Sequence, residues 1–227
     1  MIGSLAQPIL FLVSLGYGFG PIFEKAGEGS YIQFLVPGII GMGIIFTSVF
    51  SGIEIIWDRQ FGFLKETIVA PVSRLNIMIG STLGGATIAT MQGMMIFLIS
   101  LVAGFHPVNW MLVPAAILVM LLISLLFTAI GTAIASMLDD MQGFQLIINF
   151  LIMPLFYLSG SIFPLEGLPK VISTIAKFDP LSYGVDALRA LLSNTSYFGL
   201  MTDVTIVGSL TVIFLVIGGY LFSKVQI

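Results

Sequence analysis

From Leu75 to Leu138 the chain contains no Asp, Glu, Lys or Arg. As one continuous helix this run would be about 95 Å long, at ~1.5 Å per residue. The hydrocarbon core of a bilayer is only about 30 Å thick. A single crossing cannot absorb such a run, so it has to fold back on itself. The segment FHPVNW, Phe105 to Trp110, is the place for the reversal. Pro107 stops a helix there, and Trp110 suits a membrane–water interface. Two spans follow from this one stretch, near 75–103 and 111–137.

The rest of the chain reads the same way. Charged residues make up 8% of the 227 and hydrophobic residues 58%, whereas a soluble domain carries about 25% charged residues. Four further apolar stretches, near 1–20, 34–56, 143–163 and 203–223, bring the expectation to an all-α integral membrane protein of six transmembrane helices, a single domain over 1–227. Pro37, Gly84, Gly85 and Pro154 inside the spans point to kinks or close helix packing. The absence of cysteine excludes disulfides and thiolate metal sites. A net charge of −3 argues against a nucleic-acid surface. The one histidine, His106, sits in the reversal loop and reads as a loop residue. No G-x-S-x-G or other catalytic constellation is present.

Lys and Arg set the orientation. Arg59, Lys65 and Arg74 crowd the loop 57–74, Lys224 lies in the tail, and the 104–110 loop has neither type. This places both termini and loop 57–74 in the cytoplasm of a multi-pass protein of the cell membrane. Asp139 and Asp140 in an inner loop, and Lys170, Lys177 and Arg189 in an outer segment, run against the bias. The start of the chain lacks a basic region ahead of its apolar stretch, so 1–20 reads as a retained span and not a cleaved signal.

Two segments between spans carry the remaining information. In WDRQFGFLKETIVAPVSR, Trp57 to Arg74, Asp58 can cap a short helix with Phe61, Leu64 and Ile68 on one face. Pro71 ends that helix, and Ser73 can cap the next span. The residues alone leave open whether this amphipathic helix is a surface anchor or a docking element. In the second segment, 164–192, Leu168, Val171, Ile172 and Ile175 form an apolar face. Asp179 can cap a further helix with Pro180 at its first position. Leu181, Val185, Leu188 and Leu192 form a stripe on it, and Asp186 and Arg189 are spaced to pair. Each helix would be about 15–20 Å long, too short to span. They form either a hairpin dipping into the outer leaflet or a pair lying flat on it. Within the spans, Gln7, Gln92, Gln145 and Asn149 can bond across helices or line a path, and Glu54 near the inner end of span two is either hydrated or functional.

The order of residues in both segments resembles the ABC type-2 transporter permeases. In the first segment the matching residues are Asp58, Arg59, Gly62, Leu64, Glu66, Pro71, Ser73 and Arg74. In the second they run from Phe163 and Pro164 through Pro169 to Asp179, Pro180, Ser182, Tyr183 and Arg189. One departure is the start, since the family usually has an amphipathic helix ahead of span one. The resemblance implies that loop 57–74, with Lys65, is a cytoplasmic coupling helix docked on an ABC ATPase subunit. It implies that 164–192, with Asp186, is an extracellular re-entrant hairpin. It also implies a dimer, with a second copy or a related permease, set among membrane lipids. ATP and Mg would belong to the partner, because this chain lacks the G-x-x-x-x-G-K-[ST] phosphate loop; it is expected to hold no cofactor and to be no enzyme. The implied function is export of a hydrophobic or amphipathic compound such as a drug, lipid or lipid-linked glycan. The alternatives are an ABC system without a small-molecule substrate, or a secondary transporter. The latter calls for paired ionisable groups at mid-span or repeated halves, and neither is evident.

Overall fold

The computed structural model describes residues 2–25, 29–61, 73–138 and 140–223. The helices are α1 (Ile2–Lys25), α2 (Tyr31–Phe50), α3 (Ile53–Gln60), α4 (Arg74–Val102), α5 (Val113–Ser136), α6 (Met141–Leu158), α7 (Lys170–Ala176), α8 (Pro180–Ser193) and α9 (Leu200–Ser223). Among the described residues there is no strand. Six helical runs are long and apolar enough to cross a membrane: Ser4–Lys25, Tyr31–Gln60, Asn76–Val102, Trp110–Ser136, Met141–Leu158 and Leu200–Phe222. They coincide with the six expected spans.

Local chemistry explains most helix ends. The Ser73 side chain accepts from the Asn76 amide at 3.3 Å and starts α4. The 105–110 reversal occurs where Pro107 predicts it. Gly104 (φ 98°) turns the chain after α4, and the Asn109 side chain accepts from the Met111 amide at 2.9 Å ahead of a 3₁₀ turn, Trp110–Leu112, that leads into α5. Asp140 caps α6 through the Gly143 amide, and Asp179 caps α8 through the Leu181 amide at 2.8 Å with Pro180 in first place.

Three boundaries differ from expectation. Span one does not stop at 20 but runs on to Lys25. Span two does not stop at 56. It continues past a slight break at Ser51–Gly52 into α3, making a run of 30 residues, about 45 Å at helical rise and longer than the hydrocarbon core. Asp58 therefore lies inside the last part of this run and caps nothing. Span five stops at Leu158, short of 163, because Ser159 and Gly160 (φ 74°) form a turn in which the Ser159 and Ser161 hydroxyls bond at 2.6 Å.

Helix α5 sits at the centre and packs against α2, α3, α4, α8 and α9. In a bilayer, lipid tails are as apolar as leucine, so helices associate through close packing and small residues. The α2–α3 junction shows this: a Cβ on Gly52 would meet the Gly131 carbonyl of α5 at 2.6 Å. Two backbones touch there, and α3 is fixed against α5. Helix α6 is the opposite case. It buries a single stripe, Phe144, Ile148, Ile152 and Phe156, spaced four apart, and leaves the rest of its circumference open.

Candidate functional site

Residues identified by sequence fall at the two ends of the bundle. At one end stands α8. From Leu181 to Arg189 every residue is buried, so this helix is enclosed on all sides, by α2, α5, α6 and α9. A stripe of leucines accounts for one face only. The other faces bring Ser182, Tyr183, Asp186 and Arg189 inside, and buried polar groups need partners.

Asp186 and Arg189 find them in the backbone. The Asp186 carboxylate accepts from the Ser196 hydroxyl at 2.9 Å, the Tyr197 amide at 2.9 Å and the Phe198 amide at 2.8 Å. These three donors pin the turn between α8 and α9, where Asn194 takes a left-handed φ of 55°. Arg189 donates to the Gly160 carbonyl at 3.0 Å and to the Phe34 carbonyl at 3.5 Å, with its guanidinium 4.1 Å from the Phe34 ring centre. It thus ties α8 to the start of α2 and to the turn after α6. Among the described residues the two side chains make no direct ion pair, although they are spaced for one; each is directed to a different backbone segment. Burial lowers the Arg189 pKa to about 10, while the nearby Asp186 charge pulls it up. The two side chains attract each other without bonding.

The neighbouring residues complete this end. The Tyr183 hydroxyl donates to the Lys177 carbonyl at 2.7 Å, and its ring lies 4.6 Å from that of Phe198. Burial pushes the Asp179 carboxyl up to about 7, against the Leu181 amide that favours its charge. The Ser182 hydroxyl is buried without a partner among the described residues. Phe163 is exposed, and Pro164 lines a cavity of about 300 Å³ with Phe34, Glu166, Asp186, Arg189 and Tyr197. Pro169 precedes α7, whose Val171 and Ile175 are exposed, as is Phe178 beyond it. The apolar face expected for α7 is therefore only partly packed on this chain, with Leu168 and Ile172 half-buried. Asp203, in the first turn of α9, was missed: it is fully buried, and both its oxygens lack a donor among the described residues. A lone acid at the start of an apolar span was the signal available for it.

At the other end of the bundle lies α3. Asp58 is exposed. Arg59 donates to the Ser136 carbonyl at 3.2 Å and to the Leu138 carbonyl at 3.1 Å, at the end of α5. The Trp57 indole N–H points at the Met141 sulfur, 2.8 Å away, at the first residue of α6. Gly62, Leu64, Lys65, Glu66 and Pro71, with Phe61's expected companion Ile68, lie outside the described residues. Between these ends a second cavity, about 380 Å³, opens among α1, α2, the start of α3 and α4. It gathers the polar span residues Gln7, Glu54 and Gln92, and Gln92 bonds to Ser4 through both its oxygen (2.8 Å) and its nitrogen (3.2 Å).

A family model described as ABC-2 type transporter matches residues 1–193, from the first span to the end of α8. The chain belongs to the ABC-2 type transporter family. Among its relatives, Nodulation protein J of Rhizobium leguminosarum bv. trifolii is 29% identical over 194 residues, which cover 85% of this chain and 73% of the relative. The ycf38 protein of Pyropia yezoensis, named as a transport permease, is 31% identical over 207 residues, covering 87% of this chain and 69% of the relative. The ycf38 protein of Cyanophora paradoxa, with the same name, is 30% identical over 206 residues. This ABC-2 chain is accordingly a multi-pass membrane permease subunit of an ABC transporter, and ABC-2 permeases work in general with an ABC ATPase partner.

Proposed function

We propose that this permease works as a homodimer on an ABC ATPase and moves a hydrophobic or amphipathic molecule outward across the cell membrane. The observation that carries the reading is the open face of α6. Gln142, Gln145 and Asn149 are exposed there, at i, i+3 and i+7, and none has a side-chain hydrogen bond among the described residues. An unpaired amide in hydrocarbon costs several kcal/mol on cyclohexane-like scales. Such a stripe is better matched by a second copy of the chain and a polar path between copies than by lipid tails. The apolar Leu146 and Phe150 beside it give the path a mixed lining, suited to an amphipathic cargo. The relatives named as a transport permease support transport as the role. At the α8 end, the exposed Val171, Ile175 and Phe178 suit lipid contact, which supports reading α7 and the enclosed α8 as a re-entrant hairpin in the outer leaflet. Both termini are then cytoplasmic.

The chain has no cysteine, so single introduced cysteines report cleanly. A cysteine at Asn149 is expected to cross-link two copies in the membrane with a short bis-thiol reagent. Cysteines at Lys65 and Glu166 are expected to react with an impermeant reagent from opposite sides. Inside-out vesicles holding the complex are expected to accumulate a fluorescent amphiphile on addition of ATP. Monomers only at Asn149, or accumulation in the reverse direction, contradicts the reading.

A further inference from the structure

We infer that Arg59 is a positioning residue that carries movement of the segment after α3 into α6, and is not itself a contact to the ATPase. The inference rests on the proposed function and on the expectation that the ATPase docks on the charged stretch that follows α3.

The last four carbonyls of a helix have no partner within it. At the end of α5 two carbonyls in this region, those of Ser136 and Leu138, receive the two terminal nitrogens of Arg59. A cation is also favoured there by the helix dipole. A residue serving only as a positive anchor at the membrane surface would have its guanidinium in water. Here it is turned inward, across 77 and 79 residues of sequence. Two residues beyond Leu138, Asp140 caps α6, and Met141, its first residue, faces the Trp57 indole. Neighbouring residues of α3 thus grip both ends of the short link between α5 and α6. Through Gly52 and Gly131, α3 is also seated against α5. Helix α6 is held elsewhere by one apolar stripe, so its start is the point at which a small displacement of α3 acts on it. The far side of α6 carries the unpartnered amides of the proposed path. Arginine suits this position better than lysine, because its planar fork presents separate nitrogens to the two carbonyls in a fixed geometry.

The test uses the permease–ATPase complex with Arg59→Gln and Arg59→Lys. Assembly, ATP turnover and transport per ATP are read separately. Arg59→Gln is expected to assemble and to hydrolyse ATP as wild type, with transport per ATP lower by about fivefold or more, the lower bound of typical coupling between sites. Arg59→Lys is expected to fall between. Adding Trp57→Cys and Met141→Cys to the Arg59→Gln chain, and joining them with a short bis-thiol reagent, is expected to restore transport per ATP. A role in folding alone would not be rescued by that tether. Undiminished transport per ATP in Arg59→Gln overturns the inference. So does a tether that does not restore it, and so does loss of assembly by a chain that still purifies as a monodisperse species, which would make Arg59 an ATPase contact. If Arg59→Gln does not purify, Arg59→Lys decides, with full transport per ATP counting against the role. A wild-type complex without ATP-driven transport counts against the proposed function instead. The Arg59 inference is then read from the labelling rate of a cysteine at Asn149. ATP is expected to change that rate in wild type and not in Arg59→Gln; an equal response in both overturns the inference.

Discussion

Helices α3 and α8 both carry charge next to apolar spans, and they use it differently. In α8 the charges are enclosed and bonded mainly to the chain's own backbone. Arg189 holds α2 and the turn after α6, and Asp186 holds the turn into α9. In α3 only Arg59 is turned inward, while Asp58 stays exposed. Burial and bonding make the α8 charges part of the fold. Exposure leaves the α3 end available to another protein, at little cost to stability. A charge in a membrane protein therefore says little by its presence, and much by whether its partners are internal.

The sharpest way to break this comparison is at Arg189. Arg189→Ala removes the donor to the Gly160 carbonyl, the contact with the Phe34 ring and the cation near the Asp186 charge. Breaking a buried charge arrangement of this kind costs about 3–5 kcal/mol. We expect almost no monodisperse protein from the membrane fraction. Because Asp186 and Arg189 bond to separate backbone segments, Asp186→Asn with Arg189→Gln is expected to do no better than the worse single variant. Recovery in the double variant would show that the two charges work as one pair.

A medium effect is expected at Asp179. Burial lifts its carboxyl to about 7 in the folded chain, above the ordinary value of about 3.9. The folded state therefore keeps a proton that the unfolded state releases between those values. The sign follows from linkage: the stabilising contribution is full below about pH 4 and is lost as pH rises through about 7. Thermal midpoints in detergent are expected to fall between about pH 5 and pH 7 for wild type. Asp179→Asn is expected to keep the helix cap and flatten that dependence. An unchanged slope would place the sensitivity elsewhere.

The smallest effect on stability is expected in the charged stretch beyond α3. If this stretch is the docking surface of the proposed function, Glu66→Lys should change stability by within about 0.5 kcal/mol, yet lower ATP turnover in the assembled complex. A charge reversal at a docking surface acts on orientation and specificity more than on fold. A strongly destabilised Glu66→Lys chain would make this stretch resemble α8 and erase the contrast.

Much of the architecture was legible in the sequence because it depends on neighbours along the chain. The long uncharged run had to fold back, and Pro107 with Gly104 and Asn109 turns it. Ser73 and Asp179 cap helices through amides two or three residues away, within reach whatever the rest of the molecule does. The errors came where helix continuity was decided by packing. Span two runs on to Gln60 because Gly52 lets α3 seat on α5, so Asp58 never becomes a cap.

The partners of the long charged side chains belong to the tertiary structure alone. At the sequence level, Asp186 and Arg189 lie three residues apart, and pairing is the nearest arrangement. Folding brings the Phe34 carbonyl, 155 residues away, and the Gly160 carbonyl to the guanidinium. The Gly160 carbonyl belongs to a turn outside the helices and accepts the shorter of the two bonds, while the two charges still attract each other without touching. The same holds for Arg59 and the end of α5. Apolar length and local caps are properties of a segment and can be counted along it. A buried donor's choice among distant acceptors depends on which backbone ends the packing has left unsatisfied, and only the assembled helices determine that.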